Sequence, residues 1–255
     1  MALIARVGAG VLLMATLAGC TVQADQQRKP HATLFIGVDA SGSFKHSGYY
    51  DNALTFLAHY IYGHLHELGG LEKPKALFVA SVGGQDVNEP KTFHPIHDFE
   101  GKDVSQIEAD LRKWFPPSDK VTDFNPFFQE VARITKERNL VLAPITLLVV
   151  TDGVPDAAAS GSKAGTRELY ERINLKPLEY LARNVTVRLA YVSPKVGEQW
   201  RTHVPHQRVR LWTVDAEVMK GWKNQMRAEA ELPQQDKFWN WVQDNVDFRV
   251  KANKV

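Results

Sequence analysis

The sequence runs to 255 residues, with 31 Lys and Arg against 29 Asp and Glu, 44% hydrophobic and 24% charged residues, and a single Cys. These are the proportions of a globular chain; a collagen, a coiled coil or a disordered chain needs a glycine period, a heptad bias or depleted apolar content, and none is present. One Cys makes no internal disulfide and supplies neither a zinc ribbon nor an iron–sulfur cluster, so the fold rests on its own core, and the near-balance of charge steers nothing toward nucleic acid.

The first element along the chain is Met1 to Arg6, then the apolar stretch Val7 to Gly19, then Cys20. Thirteen apolar or small residues after one basic residue fit the n- and h-regions of a signal peptide, and fall short of the roughly 20 needed to span a bilayer. Leu17-Ala18-Gly19-Cys20 resembles the lipobox of bacterial lipoproteins, with the sole Cys at the position that pathway requires. The plainer alternative is a secretory leader cut near Ala24. The resemblance implies a signal peptide at 1–19, cleavage before Cys20, two chains on its thiol and a third on its amine, enough for stable membrane attachment. An Asp after the Cys would imply inner-membrane retention; Thr21 stands there, so the implied location is the bacterial cell envelope, at the outer membrane facing the periplasm. Residues 20–32 then form a polar tether ending in Lys29-Pro30, and 33–255 a single domain. Removing a leader with one Arg and no acid leaves the mature chain at +1.

Leu34 to Asp39 is an almost continuous apolar run closed by an acid and a Ser/Gly turn, the pattern of a buried parallel strand. Tyr50 to Leu68 carries apolar residues at helical spacing and stops at Gly69-Gly70. Ala76 to Val82 reads as a second buried strand, and Thr92 to Phe99 contains a short edge strand. Val104 to Phe115 and Phe124 to Arg138 read as helices. Ile145 to Val150, apolar without alternation, belongs in the middle of a sheet. Arg167 to Arg183 is expected to be helical with a break at Pro177, Val185 to Val192 a strand, Glu198 to His203 a helical turn, Val209 to Val214 a last strand, and Ala216 to Asn245 one or two closing helices around Pro233. Strands alternating with helices predict an α/β fold: a doubly wound, mostly parallel six-stranded sheet with order 3-2-1-4-5-6 and helices on both faces. Such a sheet binds ligands at the carboxyl ends of its strands, where strand order reverses.

At those ends the sequence places short oxygen donors: Asp39-Ala40-Ser41-Gly42-Ser43 after the first strand, Thr122 before a helix, and Asp152-Gly153 after the most apolar strand. A small hard cation takes about six oxygens and keeps some of its waters, so carboxylates and hydroxyls on short arms suit it. Gly between the serines is expected to let one turn aim three side chains at one point.

Together these segments resemble the von Willebrand factor A domain with its metal-ion-dependent adhesion site. That family carries Asp-x-Ser-x-Ser after its first strand, a Thr before a later helix and an Asp after its fourth strand. Asp39, Ser41 and Ser43, then Thr122, then Asp152 match these positions, over a resemblance running from Thr33 to Asn245. An Asp-x-Ser-Gly-Ser match alone arises in roughly one chain in a few hundred of this length; its place after a first strand, with Thr151-Asp152-Gly153 after a fourth, is what makes it specific. The chain departs from the family at Val121, where Gly usually precedes the Thr. Thr151, beside Asp152 on a strand, is expected to point to the opposite side.

The resemblance implies Mg²⁺ or Mn²⁺ held by Asp39, Ser41, Ser43, Thr122 and Asp152, with one position left for an Asp or Glu of another envelope protein. Specificity would come from the rim: Phe44, Lys45, His46, Tyr49 and Tyr50, and the loop Asp156 to Gly165. No Gly-x-Ser-x-Gly or Walker-type loop is present, and no general base stands beside the cluster in sequence, so the expectation is a binding protein and not an enzyme. Two alternatives stay open: a metal-dependent envelope hydrolase, with Asp123 or His46 as the extra group, and a structural component of an envelope assembly. The pairs His64 and His66, His94 and His97, and His203 and His206 lack a third ligand at metal spacing, and Trp212, Trp222, Trp239 and Trp241 read as packing residues.

Overall fold

A computed structural model describes residues 32–86, 88–118, 120–156 and 163–248. The leader, Cys20, nearly all of the tether, and part of the Asp156 to Gly165 loop lie outside the described residues.

Runs of Val, Ile, Leu and Phe form the sheet because they bury both faces of each central strand. Its strands are β1 (Thr33–Val38), β2 (Ala76–Ser81), β3 (Phe93–Pro95), β4 (Ile145–Val150), β5 (Val185–Val192) and β6 (Val209–Asp215). Their order is β3-β2-β1-β4-β5-β6. All pairs are parallel except β2 with β3. The expected topology is therefore the one found, with β1 and β4 as neighbours at the switch point.

Helices cover both faces: α1 (Gly42–His46), α2 (Tyr50–Leu65), α3 (Val104–Trp114), α4 (Asn125–Glu137), α5 (Arg167–Glu171), α6 (Pro194–His203), α7 (Ala216–Lys220) and α8 (Asp236–Asn245). Leu34, Ile36 and Val38 face one core with Leu54, Leu57, Ile61 and Trp239, while Phe35 faces the other with Phe127, Val131 and Trp200. Gly37 also lies on β1, and a Cβ there would stand 2.8 Å from Val82 and 3.1 Å from Phe127. Its missing side chain lets α4 sit close against the strand that leads to Asp39.

The helical reading of Arg167 to Arg183 is corrected. Only Arg167–Glu171 is α-helical, followed by a 3-10 turn at Lys176–Leu178. Asn174 accepts the Lys176 N–H at 3.1 Å and gives its own N–H to Asn125 at 2.7 Å, so a side-chain turn replaces the helix before Pro177 closes it. The first long helix ends at Leu65, because Glu67 turns left-handed at φ 53°. Conversely α6 begins four residues earlier than expected, capped by Ser193, whose hydroxyl accepts the Val196 N–H, with Pro194 in the first turn. Both features favour helix starts.

A charge is buried against the segment that follows α8. Arg188 on β5 donates to Asp247 at 2.8 Å and to the Phe248 carbonyl at 2.7 Å, and its ring-facing guanidinium stacks on Phe248.

Candidate metal centre

Parallel pairing of β1 and β4 sets Val38 opposite Val150. The Asp39 N–H continues the ladder to the Val150 carbonyl at 3.0 Å, so the acids following the two strands emerge at one end of the sheet. Asp39 is fully buried. One of its oxygens, Oδ1, accepts the Ser41 N–H at 3.0 Å, and Oδ2 accepts the Thr151 hydroxyl at 2.6 Å. Ser41 caps α1 from extended backbone, its Oγ accepting the Phe44 N–H at 3.4 Å. That same Oγ lies 3.1 Å from Ser43 Oγ, and the nearby Ser43 hydroxyl partly offsets the upward push of burial on the Asp152 carboxyl. Asp152 Oδ1 also accepts the Val154 N–H at 3.0 Å. Asp39, Ser41 and Ser43 thus form one connected group, with Asp152 beside it on the neighbouring strand end.

Two sequence expectations need correction. The alternation argument that turned Thr151 away fails because β4 ends at Val150. Thr151 is buried, bonds Asp39, and accepts the Gly153 N–H at 2.8 Å, which makes it the clamp between the two motifs. The glycine whose latitude matters is also not Gly42, where an added Cβ would meet nothing closer than His46 at 4.0 Å. It is Gly153, at φ 74°, where a Cβ would lie 3.0 Å from Val196 and 3.1 Å from the Trp200 indole nitrogen. Trp200 donates to the Gly153 carbonyl at 2.7 Å, pinning the turn behind Asp152. Nothing in the spacing of the sequence pointed to Trp200, which lies far along the chain.

Thr122 is buried and reaches this end of the sheet through an isolated bridge between Gly84 and Val121. Val121, where the family has Gly, supplies that bridge. The tie from Thr122 to the centre runs through its carbonyl, which accepts the Asp156 N–H at 3.1 Å on the loop after Asp152.

Electrostatics follow from burial. The Asp39 carboxyl is pushed up to about 7, first by desolvation and then by the negative charge of Asp152; the Thr151 and Ser41 donors offset part of this. Burial also raises Asp152, against the Val154 N–H and the Ser43 hydroxyl. Tyr170, buried with Asp152 in its field, is pushed up to about 12. Among the described residues neither carboxylate pairs with Lys, Arg or His. An all-oxygen donor set of two desolvated carboxylates and short hydroxyls fits a small hard dication, whose charge would replace the missing cationic partner.

The rim differs from expectation. Phe44 and Tyr50 are buried against each other, with Phe44 also against Tyr191, so neither offers a surface; the partner-facing candidates are exposed Lys45 and His46 and half-buried Tyr49. Tyr49 donates to Glu217 at 2.8 Å, on the wall of a cavity of about 390 Å³ that also borders Asp152, Val154 and Asp215. Asp123 is occupied as a turn former, accepting the Asn125 N–H at 3.0 Å and the Asn88 N–H at 3.4 Å. His94 stacks on Trp114, and His64 bonds the Glu72 carbonyl. Trp222 and Trp239 are core residues, while Trp212 is partly exposed against Phe248.

No family model and no curated protein matches the sequence. Among solved structures the chain is similar to the pilus adhesin SpaC from Lactobacillus rhamnosus GG in its open conformation, with TM-score 0.51 and 9% identity over 86% of this chain and 31% of that one. A structural neighbour is thus a pilus adhesin. Proximal thread matrix protein 1 from the mussel byssus gives TM-score 0.40 and 12% identity over 75% of this chain and 46% of that one. This chain therefore spans under half the length of either protein, and its likeness to the adhesin is one of fold alone.

Proposed function

We propose that this chain is an envelope lipoprotein, anchored through Cys20, whose domain resembles the von Willebrand factor A type and binds a partner protein through a divalent metal. Asp39, Ser41, Ser43, Thr122 and Asp152 would hold Mg²⁺ or Mn²⁺, and the metal when bound would supply an electrophilic position for a partner carboxylate. The carrying observation is the junction of two desolvated carboxylates and two hydroxyls at the carboxyl ends of β1 and β4, with no cationic side chain paired to either acid among the described residues. The protein's own groups set the geometry: Thr151 and the Ser41 N–H orient Asp39, the α1 cap orients Ser41, and Trp200 holds the Gly153 turn behind Asp152. Of the two groups a hydrolase would use, Asp123 is committed to backbone N–H groups, which weakens that alternative.

The test is capture of an envelope protein by the immobilised mature chain in the presence of Mg²⁺. Retention should be lost on adding a chelator, with the fold kept by circular dichroism, and absent with Asp39→Ala. Retention that survives both would overturn the reading.

A further inference from the structure

We propose that the amino-terminal end of the sheet, opposite the metal centre, is a membrane-facing surface that rests on anionic phospholipid headgroups; the proposal builds on the lipid anchor proposed above. The described chain enters the fold at this end, where Thr33 N–H bonds the Pro144 carbonyl at 2.9 Å and Ala32 accepts the Lys75 N–H at 2.8 Å. Two residues from Pro144, Leu142 is 84% exposed, and Tyr180 is 76% exposed. They belong to one surface, because the Leu142 N–H bonds the Leu181 carbonyl at 3.0 Å. Single exposed apolar residues are ordinary, but Leu142 is held in the left-handed region at φ 73°. A bulky residue there is strained, and the strain has no packing reward within the fold.

The charge around these two side chains is complementary to a headgroup layer. Lys75, Arg138, Arg183 and Arg208 are exposed, and none is paired with a carboxylate among the described residues. The Arg208 guanidinium covers the Tyr180 ring at 5.3 Å. Nearby acids are committed: Glu137 pairs with Arg133, and buried Glu179 accepts the Gln207 N–H at 3.0 Å. Phe248 shares a cavity wall with Ala32, Pro144 and Asn184, so it too lies at this end. Amphipathic Tyr with Leu and a basic ring is the composition of an interfacial contact. Strands of six residues would then carry the metal centre roughly 20 Å outward, away from the bilayer.

The test uses the chain from Thr21 onward, which lacks the lipid; the contacts of the described fold lie within 32–248, so none of them is removed. Co-sedimentation with vesicles of phosphatidylethanolamine and phosphatidylglycerol should exceed that with phosphatidylcholine alone and fall with salt. Arg183→Glu and Arg208→Glu should each lower the partition coefficient about fivefold or more. Leu142→Gly should also lower it while the melting temperature stays level or rises, since Gly accepts φ 73° without strain; that pairing separates a lost contact from a lost fold. Asp39→Ala should bind vesicles as wild type does. Equal partition into both vesicle types, or partition unchanged by Leu142→Gly and Arg208→Glu, overturns the proposal. Labelled palmitate on full-length chain tests the anchor separately: absent label with vesicle binding kept removes the anchor alone, and label without vesicle binding removes the surface alone.

Discussion

The ionisation of Asp39 can be isolated by comparing wild type with Asp39→Asn at two pH values in the presence of a chelator. In the folded apo protein this carboxyl titrates near 7 instead of 3.8, chiefly through desolvation. A folded-state value above the unfolded one means that folding favours the protonated form. Its contribution is fully present below pH 4 and is lost as pH rises through 7. The complete shift corresponds to about 4 kcal/mol, of which about 3 kcal/mol is lost between pH 5 and pH 8. Asn cannot ionise, and its side-chain oxygen can still accept the Thr151 hydroxyl, so whatever the substitution costs does not change between the two pH values. The difference in stability between variant and wild type should therefore move in the variant's favour by about 3 kcal/mol from pH 5 to pH 8, or roughly 6 to 12 °C in melting temperature for a domain of this size. Urea unfolding at both pH values measures it. A difference that stays within about 0.5 kcal/mol across that range would refute the claim that Asp39 is a desolvated acid without a cationic partner.

Thr151→Val should cost about 3 kcal/mol, because it removes the donor to Asp39 and leaves the buried Gly153 N–H without its acceptor; urea unfolding below 1 kcal/mol of change would remove Thr151 as the clamp. Asp247→Ala should destabilise by about 3 kcal/mol or more, since buried Arg188 keeps its charge but loses its partner. The double variant with Arg188→Met should recover much of that loss in the same assay. Cys20→Ala should leave the full-length chain without labelled palmitate and unanchored in fractionated cells, whereas equal labelling of variant and wild type would sink the lipoprotein reading.

The sheet was legible because its signal is redundant: Ile145 to Val150 has no polar residue but Thr146, and strands of that kind alternate with helices, which leaves few topologies. The pairing of Asp39 with Asp152 was legible for the same reason, since adjacent parallel strands end on the same side. What escaped was set by contacts distant in sequence or by local side-chain turns. Trp200 reaches Gly153 across 47 positions. Asn174 competes with helix for the Lys176 N–H. Phe44 and Tyr50 look like rim residues from their place beside the motif, yet α1 and α2 turn them into the core against Tyr191. The period-2 rule misplaced Thr151 because it was applied one residue past the end of its strand. For Thr151 and Asn174 the missing information was where an element stops, and for Trp200, Phe44 and Tyr50 it was the tertiary partner each side chain meets.

The central claim, that this end of the sheet holds a divalent metal, is tested most directly by calorimetric titration of the wild type and Asp39→Ala with Mg²⁺ and Mn²⁺, read beside their melting temperatures. Wild type should bind one ion and, at a hundredfold excess over the dissociation constant, gain about 2.7 kcal/mol, or roughly 5 to 11 °C, while Asp39→Ala should show neither heat nor shift. No heat and an unchanged melting temperature in wild type at millimolar metal would contradict the account.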